Sequence, residues 1–187
     1  DSLIDSLNQR HILVHFKNNS INNMLDKQNW NGKLVNSGGD YLYVNNANIG
    51  GTKANYYVKN SYDYSVHSKT RDGLLRSELV LNYNHTGLDT SWPGGPYKNY
   101  IRVLKNSGSK LTGAQLVVDN NEPIDIFNDI IVTTMKEYNT YSYLLNLEPT
   151  QTAKIKLSHD LPLNLSLNKS LMEYELHWQK QPGTNDD

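Results

Sequence analysis

Cysteine is absent from the 187 residues, which excludes disulfides, thiolate metal sites and a cysteine nucleophile together. No apolar run approaches the roughly 20 residues a membrane-spanning helix needs. Positive charge is not in excess. Eighteen Lys and Arg face 19 Asp and Glu, for a net charge of −1 and a pI near 6.6, so no basic field attracts a nucleic-acid backbone and nucleic acid is not expected as a partner. No initiator Met and no signal peptide open the sequence, which begins at Asp1 in a helical pattern and reads as a piece of a longer protein. Phe is scarce at 2 residues, whereas Tyr is abundant at 13. Tyr suits strands that are apolar at the ring and wet at the hydroxyl, so part of the sheet surface is expected to meet water or a partner.

What is present is organised around Asp40 to His67, DYLYVNNANIGGTKANYYVKNSYDYSVH. It reads as a strand, an Asn/Gly-rich turn from Asn45 to Lys53, and one long strand from Tyr56. Tyr56, Val58, Tyr62, Tyr64 and Val66 fall on one face of that strand and Tyr57, Lys59, Ser61, Asp63 and His67 on the other, the period of a half-buried antiparallel strand. Gly50 and Gly51 supply the reversal.

Upstream, Ser2 is placed to cap a short helix carrying Leu3, Ile4 and Leu7, HILVHF (11–16) reads as a buried strand, and Ser20 is placed to cap a helix with Ile21, Met24 and Leu25 on one face. Lys33 to Val35 reads as a short strand. Downstream, Leu75, Leu79, Leu81 and Tyr83 share a strand face after a turn at Thr70 to Gly73, and Thr86 to Pro96 is a Gly/Pro loop. Strands follow from Asn99, from Leu111, on both sides of Asn128-Asp129, from Tyr141, from Ala153 and from Tyr174. Many short strands with turn signals and little helix predict a mainly β chain, an antiparallel β-sandwich of Ig-like or jelly-roll-like type with a short α/β N-terminal appendage. The domain reading is 1–31 for the appendage, 32–183 for the sandwich and 184–187 for a tail.

Candidate chemistry is sparse. His11 and His15 on a strand lie roughly 13 Å apart and cannot share an ion, so no metal site is assigned. Asp119 to Glu122 with Asp125 offers oxygen ligands for Ca²⁺ without the EF-hand spacing, and reads as a solvated loop. Asn46 to Lys53 lacks the Gly-Lys-Ser/Thr ending and following helix of a phosphate loop, although Asp40, Asn48 and Lys53 are candidates for a polar pocket near that turn. Trp92, Tyr97 and Tyr100, in or beside the Gly/Pro loop, are candidates for a platform on which sugar rings stack; the alternative is that Trp92 plugs one end of the sandwich. No GxSxG, HExxH or paired-carboxylate arrangement stands out, and no catalytic residue or cofactor is assigned. Asn18, Asn84, Asn164 and Asn168 begin Asn-x-Ser/Thr sequons.

HILVHF, KQNWNGKL, DYLYVNNANIGGTKANYYVK, WPGGPYKNYIRV, GSKL and a final strand into QKQPG, in that order, resemble the C-terminal part of the bacterial domain-of-unknown-function family 4012. The resemblance runs over about Asn8 to Gly183, and its most characteristic block holds Asp40, Asn48, Gly50, Gly51, Lys53, Asn55 and Tyr56. It implies a longer protein anchored in the membrane by an N-terminal segment, with this part outside the cytoplasm in the cell envelope of a bacterium, in a setting of surface polysaccharide. It carries no catalytic residues. The expected function is a non-catalytic binding or scaffolding module whose partner is a cell-surface glycan or envelope protein. The alternative is part of an enzyme acting on envelope glycans, with an active site mainly in the N-terminal region.

Overall fold

The computed structural model describes residues 2–35, 39–68, 73–164 and 173–184. Two short helices come first, α1 (Leu3–Asn8) and α2 (Asn19–Lys27). Ten strands follow: β1 (Asp40–Asn48), β2 (Val58–Ser68), β3 (Leu74–His85), β4 (Tyr97–Asn106), β5 (Lys110–Val118), β6 (Ile124–Asp125), β7 (Ile131–Thr134), β8 (Tyr138–Leu147), β9 (Thr152–Asn164) and β10 (Leu176–Gln179). They form two five-stranded sheets. Sheet A has the order β10-β1-β4-β8-β7 and sheet B the order β2-β3-β9-β5-β6.

The period-two pattern sets which residues enter the core. Leu42 and Val44, Ile101 and Val103, and Tyr141, Leu145 and Leu147 come from sheet A; Leu79, Leu81 and Tyr83, Leu116, and Ala153, Ile155 and Leu157 come from sheet B. All join one buried cluster, so the two sheets share a single core. No helix among the described residues is long and apolar enough to cross a membrane.

Several expectations are corrected. The sheets are not wholly antiparallel, because β10 pairs parallel with β1, Asp40 beside Leu176. The segment after β1 is not a hairpin turn: β1 lies in sheet A and β2 in sheet B, so Ile49 to Tyr57 crosses between sheets and includes a 3-10 turn at Ala54–Tyr57. Asn128-Asp129 likewise sits where the chain crosses from β6 to β7. HILVHF forms no strand. Its Val14 N–H reaches the Trp30 carbonyl, but no sheet strand lies beside it, and Ile12, Leu13 and Phe16 stay exposed. Lys33 to Val35 is also not a strand, since the Val35 N–H and the Lys33 carbonyl are held by the Gln179 side chain instead of a ladder. Among the described residues, the appendage therefore carries helices and no strand.

Ser2 caps α1 in a reciprocal box with Asp5. Asn18, not Ser20, caps α2, because its Oδ1 accepts the N–H groups of Ser20 and Ile21. Leu3, Ile4, Ile21 and Met24 are exposed, while Leu7 and Asn22 are buried. Arg10 ties this region to the end of the chain through Nη1 to the Lys180 carbonyl and its own carbonyl to the Gly183 N–H. Residues 70–72 of the expected β2–β3 turn, Asn168 and residues 185–187 lie outside the described residues.

Candidate functional site

Tyr is divided between the core and the sheet surface, where Tyr43 and Tyr100 lie half-buried on the outer side of sheet A. Tyr41, Tyr83, Tyr97, Tyr138 and Tyr141 are buried, and most of their hydroxyls are consumed inside. Tyr41 donates to Gln179 Oε1, Tyr83 to Asn46 Oδ1 and Tyr141 to the Ser109 carbonyl. Burial pushes the Tyr41, Tyr83 and Tyr97 hydroxyls well above their ordinary range, so they remain protonated donors.

This disposes of a three-ring platform. Tyr97 enters the core, Tyr100 lies half-buried on the outer side of sheet A with the Arg102 guanidinium over its ring, and Trp92 is 73% exposed. Trp92 plugs nothing. Asp40 and Lys53 form no common pocket either. Asp40 opens the nine-residue β1 and Lys53 lies in the loop beyond its far end, so they stand at opposite ends of a strand that spans about 25 Å at strand rise. Asn48 is occupied within its own loop, accepting from the Gly50 N–H and donating to the Thr52 carbonyl and Asn55. Of the two glycines there, Gly51 takes the positive φ of 71°, not Gly50.

The crossing loop is locked to the Gly/Pro loop. The Lys53 N–H donates to the Pro93 carbonyl at 2.7 Å, and the Thr86 N–H and hydroxyl both donate to the Tyr57 carbonyl. His85 is the internal brace. Its Nδ1 accepts from the Gly87 N–H, so Nε2 carries the hydrogen that bonds the Gly95 carbonyl. These contacts hold Ile49, Tyr56, Leu88 and Trp92, all exposed, on two joined loops at one end of the molecule.

Beside that end, a groove of about 640 Å³ opens on the outer side of sheet B. Strand register builds it as two rows. Lys59 lies opposite Asn84, which lies opposite Thr152; Ser61 lies opposite Asn82, which lies opposite Lys154. Each row thus sets ammonium, amide and hydroxyl groups side by side. The 119–123 loop closes one side. There Asp119, at a φ of 54°, accepts the Thr152 N–H through Oδ1 at 2.8 Å. That carboxylate braces the groove wall, and no group of three or more acidic or His side chains able to hold a metal ion forms among the described residues.

At the opposite end lies a buried polar cluster. Lys105 Nζ contacts Asp40 Oδ1 at 2.7 Å, with the two side chains 0% and 1% exposed. The Tyr64 hydroxyl accepts from Lys105 and donates to Asp40 Oδ2, which also accepts from the Tyr174 hydroxyl at 2.7 Å. Burial lowers the Lys105 pKa against the opposing pull of Asp40. His159, fully buried, has no hydrogen-bond partner at either ring nitrogen, and burial followed by the nearby Lys105 charge pushes its pKa down to about 3.

Of the residues singled out from sequence, Asp40 alone enters this cluster; Asp119 to Asn121, from the loop read as solvated, and Asn84, which begins a sequon, line the groove, whereas Asn48, Lys53, Trp92, Tyr97 and Tyr100 do not. Lys59 and Ser61 were legible as an outward face; Asn82 and Asn84 gave the same signal by alternating with Leu81 and Tyr83. Lys105 gave none, because a lysine at an inward strand position normally marks an irregularity. No protein-family profile matches the chain, and no curated protein matches it.

Proposed function

We propose that this chain is a non-catalytic binding module, part of a membrane-anchored protein of a bacterial cell envelope, that holds a surface glycan in the groove on sheet B. The observation that carries the reading is the pair of registered rows, Lys59-Asn84-Thr152 and Ser61-Asn82-Lys154. Sugar hydroxyls both donate and accept, and neighbouring amides, hydroxyls and ammonium groups answer both needs at once. Tyr56 and Trp92, exposed on the joined loops at the same end, offer ring faces to the apolar side of a sugar. The envelope setting rests on the family resemblance. The proposed architecture is a jelly-roll-like sandwich, supported by a chain that passes between the sheets at six of its nine strand connections.

A glycan-array screen of this chain against bacterial surface polysaccharides tests the reading. Binding that is lost in Asn84→Ala supports it. Absence of any bound glycan, or turnover of a glycan by this chain, contradicts it.

A further inference from the structure

The other ion pairs among the described residues, Lys33–Asp26, Arg76–Asp160 and Lys156–Glu78, have side chains roughly a third or more exposed. Lys105–Asp40 is sealed. A pair with no water around it loses the hydration of both charges, and replacing it with apolar residues is often neutral or favourable. A stable ion pair is therefore a weak reason for these residues to be there.

The local geometry favours a different use. Asp40 opens β1 and Lys105 lies near the end of β4, its antiparallel neighbour. Both side chains point between the sheets, Asp40 with Leu42 and Lys105 with Val103. The Lys105 nitrogen sits against the carboxyl group at 2.7 Å and 4.5 Å from the centre of the Tyr64 ring. The Tyr64 hydroxyl touches both reacting groups at once, the nitrogen at 2.5 Å and Asp40 Oδ2 on its other side. Tyr174 holds the same oxygen.

We propose that Lys105 and Asp40 condense within the folded chain into an intramolecular amide, an isopeptide bond between Nζ and Cγ, with release of water. A proton passes from the ammonium through the Tyr64 hydroxyl to Oδ2, leaving a neutral amine and a neutral carboxyl group. The nitrogen lone pair attacks Cγ and the N–C bond forms. The bond from Cγ to Oδ2 breaks, and that oxygen leaves as water with the proton it received and a second proton from nitrogen. One hydrogen remains on the amide. The pair is neutral overall before and after, and no oxidant, metal or cofactor is consumed.

Two features support the step. Burial favours the uncharged amine, the form that attacks. Tyr64 is itself held protonated by burial and by Asp40, so its hydroxyl relays a proton without keeping a charge. The product joins residues 40 and 105 covalently in a chain that has no cysteine with which to form a disulfide. Like a disulfide, it would restrict the unfolded chain.

The test is the intact mass of the purified, folded chain, measured after denaturation, with peptide mapping. The expected result is a mass one water below that of the sequence, a branched peptide containing Asp40 and Lys105, and the full sequence mass in Lys105→Arg, which keeps the charge but loses the primary amine. In Asp40→Asn the same amide forms by release of ammonia, so the variant converges on the mass of the cross-linked wild type. A full sequence mass in wild type whose fold is verified by a cooperative melt overturns the proposal. So does a mass deficit that persists in Lys105→Arg. If either variant fails to fold, the wild-type mass and peptide map still decide.

Discussion

The Lys53 N–H and the Pro93 carbonyl, 2.7 Å apart, join the loop that leaves β1 to the loop that precedes β4. With the Thr86 N–H and hydroxyl on the Tyr57 carbonyl, that contact holds two exposed aromatic residues, Tyr56 and Trp92, on joined loops at the end of the molecule where the polar rows of sheet B begin. The proposed binding end thereby draws on segments that join different sheets.

Groove residues are expected to matter for ligand and little for stability. Lys59→Ala and Asn84→Ala are exposed outer-face changes and should shift stability by no more than about 0.5 kcal/mol. Each should weaken glycan binding about tenfold, since a lost hydrogen bond to a charged or amide group costs about 1.4 kcal/mol. Calorimetric titration with an array-identified glycan, beside a thermal melt, reads both quantities.

The crossing loop puts its backbone demand on Gly51. A side chain there has open space around it, yet φ of 71° disfavours any L residue, so Gly51→Val should cost about 1–3 kcal/mol from backbone strain. At Gly50 a new Cβ would approach Asn48 Oδ1 to 3.2 Å and Lys98 Cβ to 3.4 Å, a tight but adjustable fit, so Gly50→Ala should cost less. Urea titration of both variants checks the order.

Asn46 bridges the sheets, accepting from Tyr83 and Asn99 and donating to Tyr62. Asn46→Ala orphans a buried hydroxyl and should destabilise by about 1–3 kcal/mol. Asn45→Ala next to it loses one surface contact with Arg102 and should change stability by less than about 0.5 kcal/mol. Chemical denaturation of the two variants compares them directly.

His159 should give an acid-sensitive component to stability. Its folded pKa is lowered from 6.5 to about 3, so between those values the unfolded chain binds a proton that the folded chain does not. The contribution is complete above about pH 6.5 and is lost as pH falls toward 3, on the order of 4 kcal/mol across the window. Burial is the first cause, and it acts whether or not the amide has formed; Lys105, which disfavours the imidazolium, and Asp40, which favours it, act through their charges only before condensation, and the Tyr141 ring packs 4.8 Å away. His159→Leu should flatten the pH dependence of the melting temperature relative to wild type in that range.

Much of the fold was legible because period-two alternation reports burial directly. Leu79, Leu81 and Tyr83, or Ile101 and Val103, had to face one way whatever lay opposite. What the alternation does not encode is which strand pairs with which. Asn45 to Lys53 looked like a hairpin turn because Asn and Gly serve a crossing between sheets as well as a reversal within one. HILVHF had the composition of a strand, but its N–H groups bond Ser6, Trp30 and Asn22 in place of a neighbouring strand. The groove is a property of register: Lys59, Asn84 and Thr152 are separated widely in sequence and meet because three strands align. Tyr97 and Trp92 look alike in sequence, and parity along β4 sends one into the core while the other remains outside on its loop.

Hydrogen exchange with and without an array-identified glycan tests the binding account most directly. The account predicts new protection in residues 59–61, 82–84 and 152–154 while the glycan is recovered intact. Protection confined to other segments, or recovery of a cleaved glycan, would contradict it.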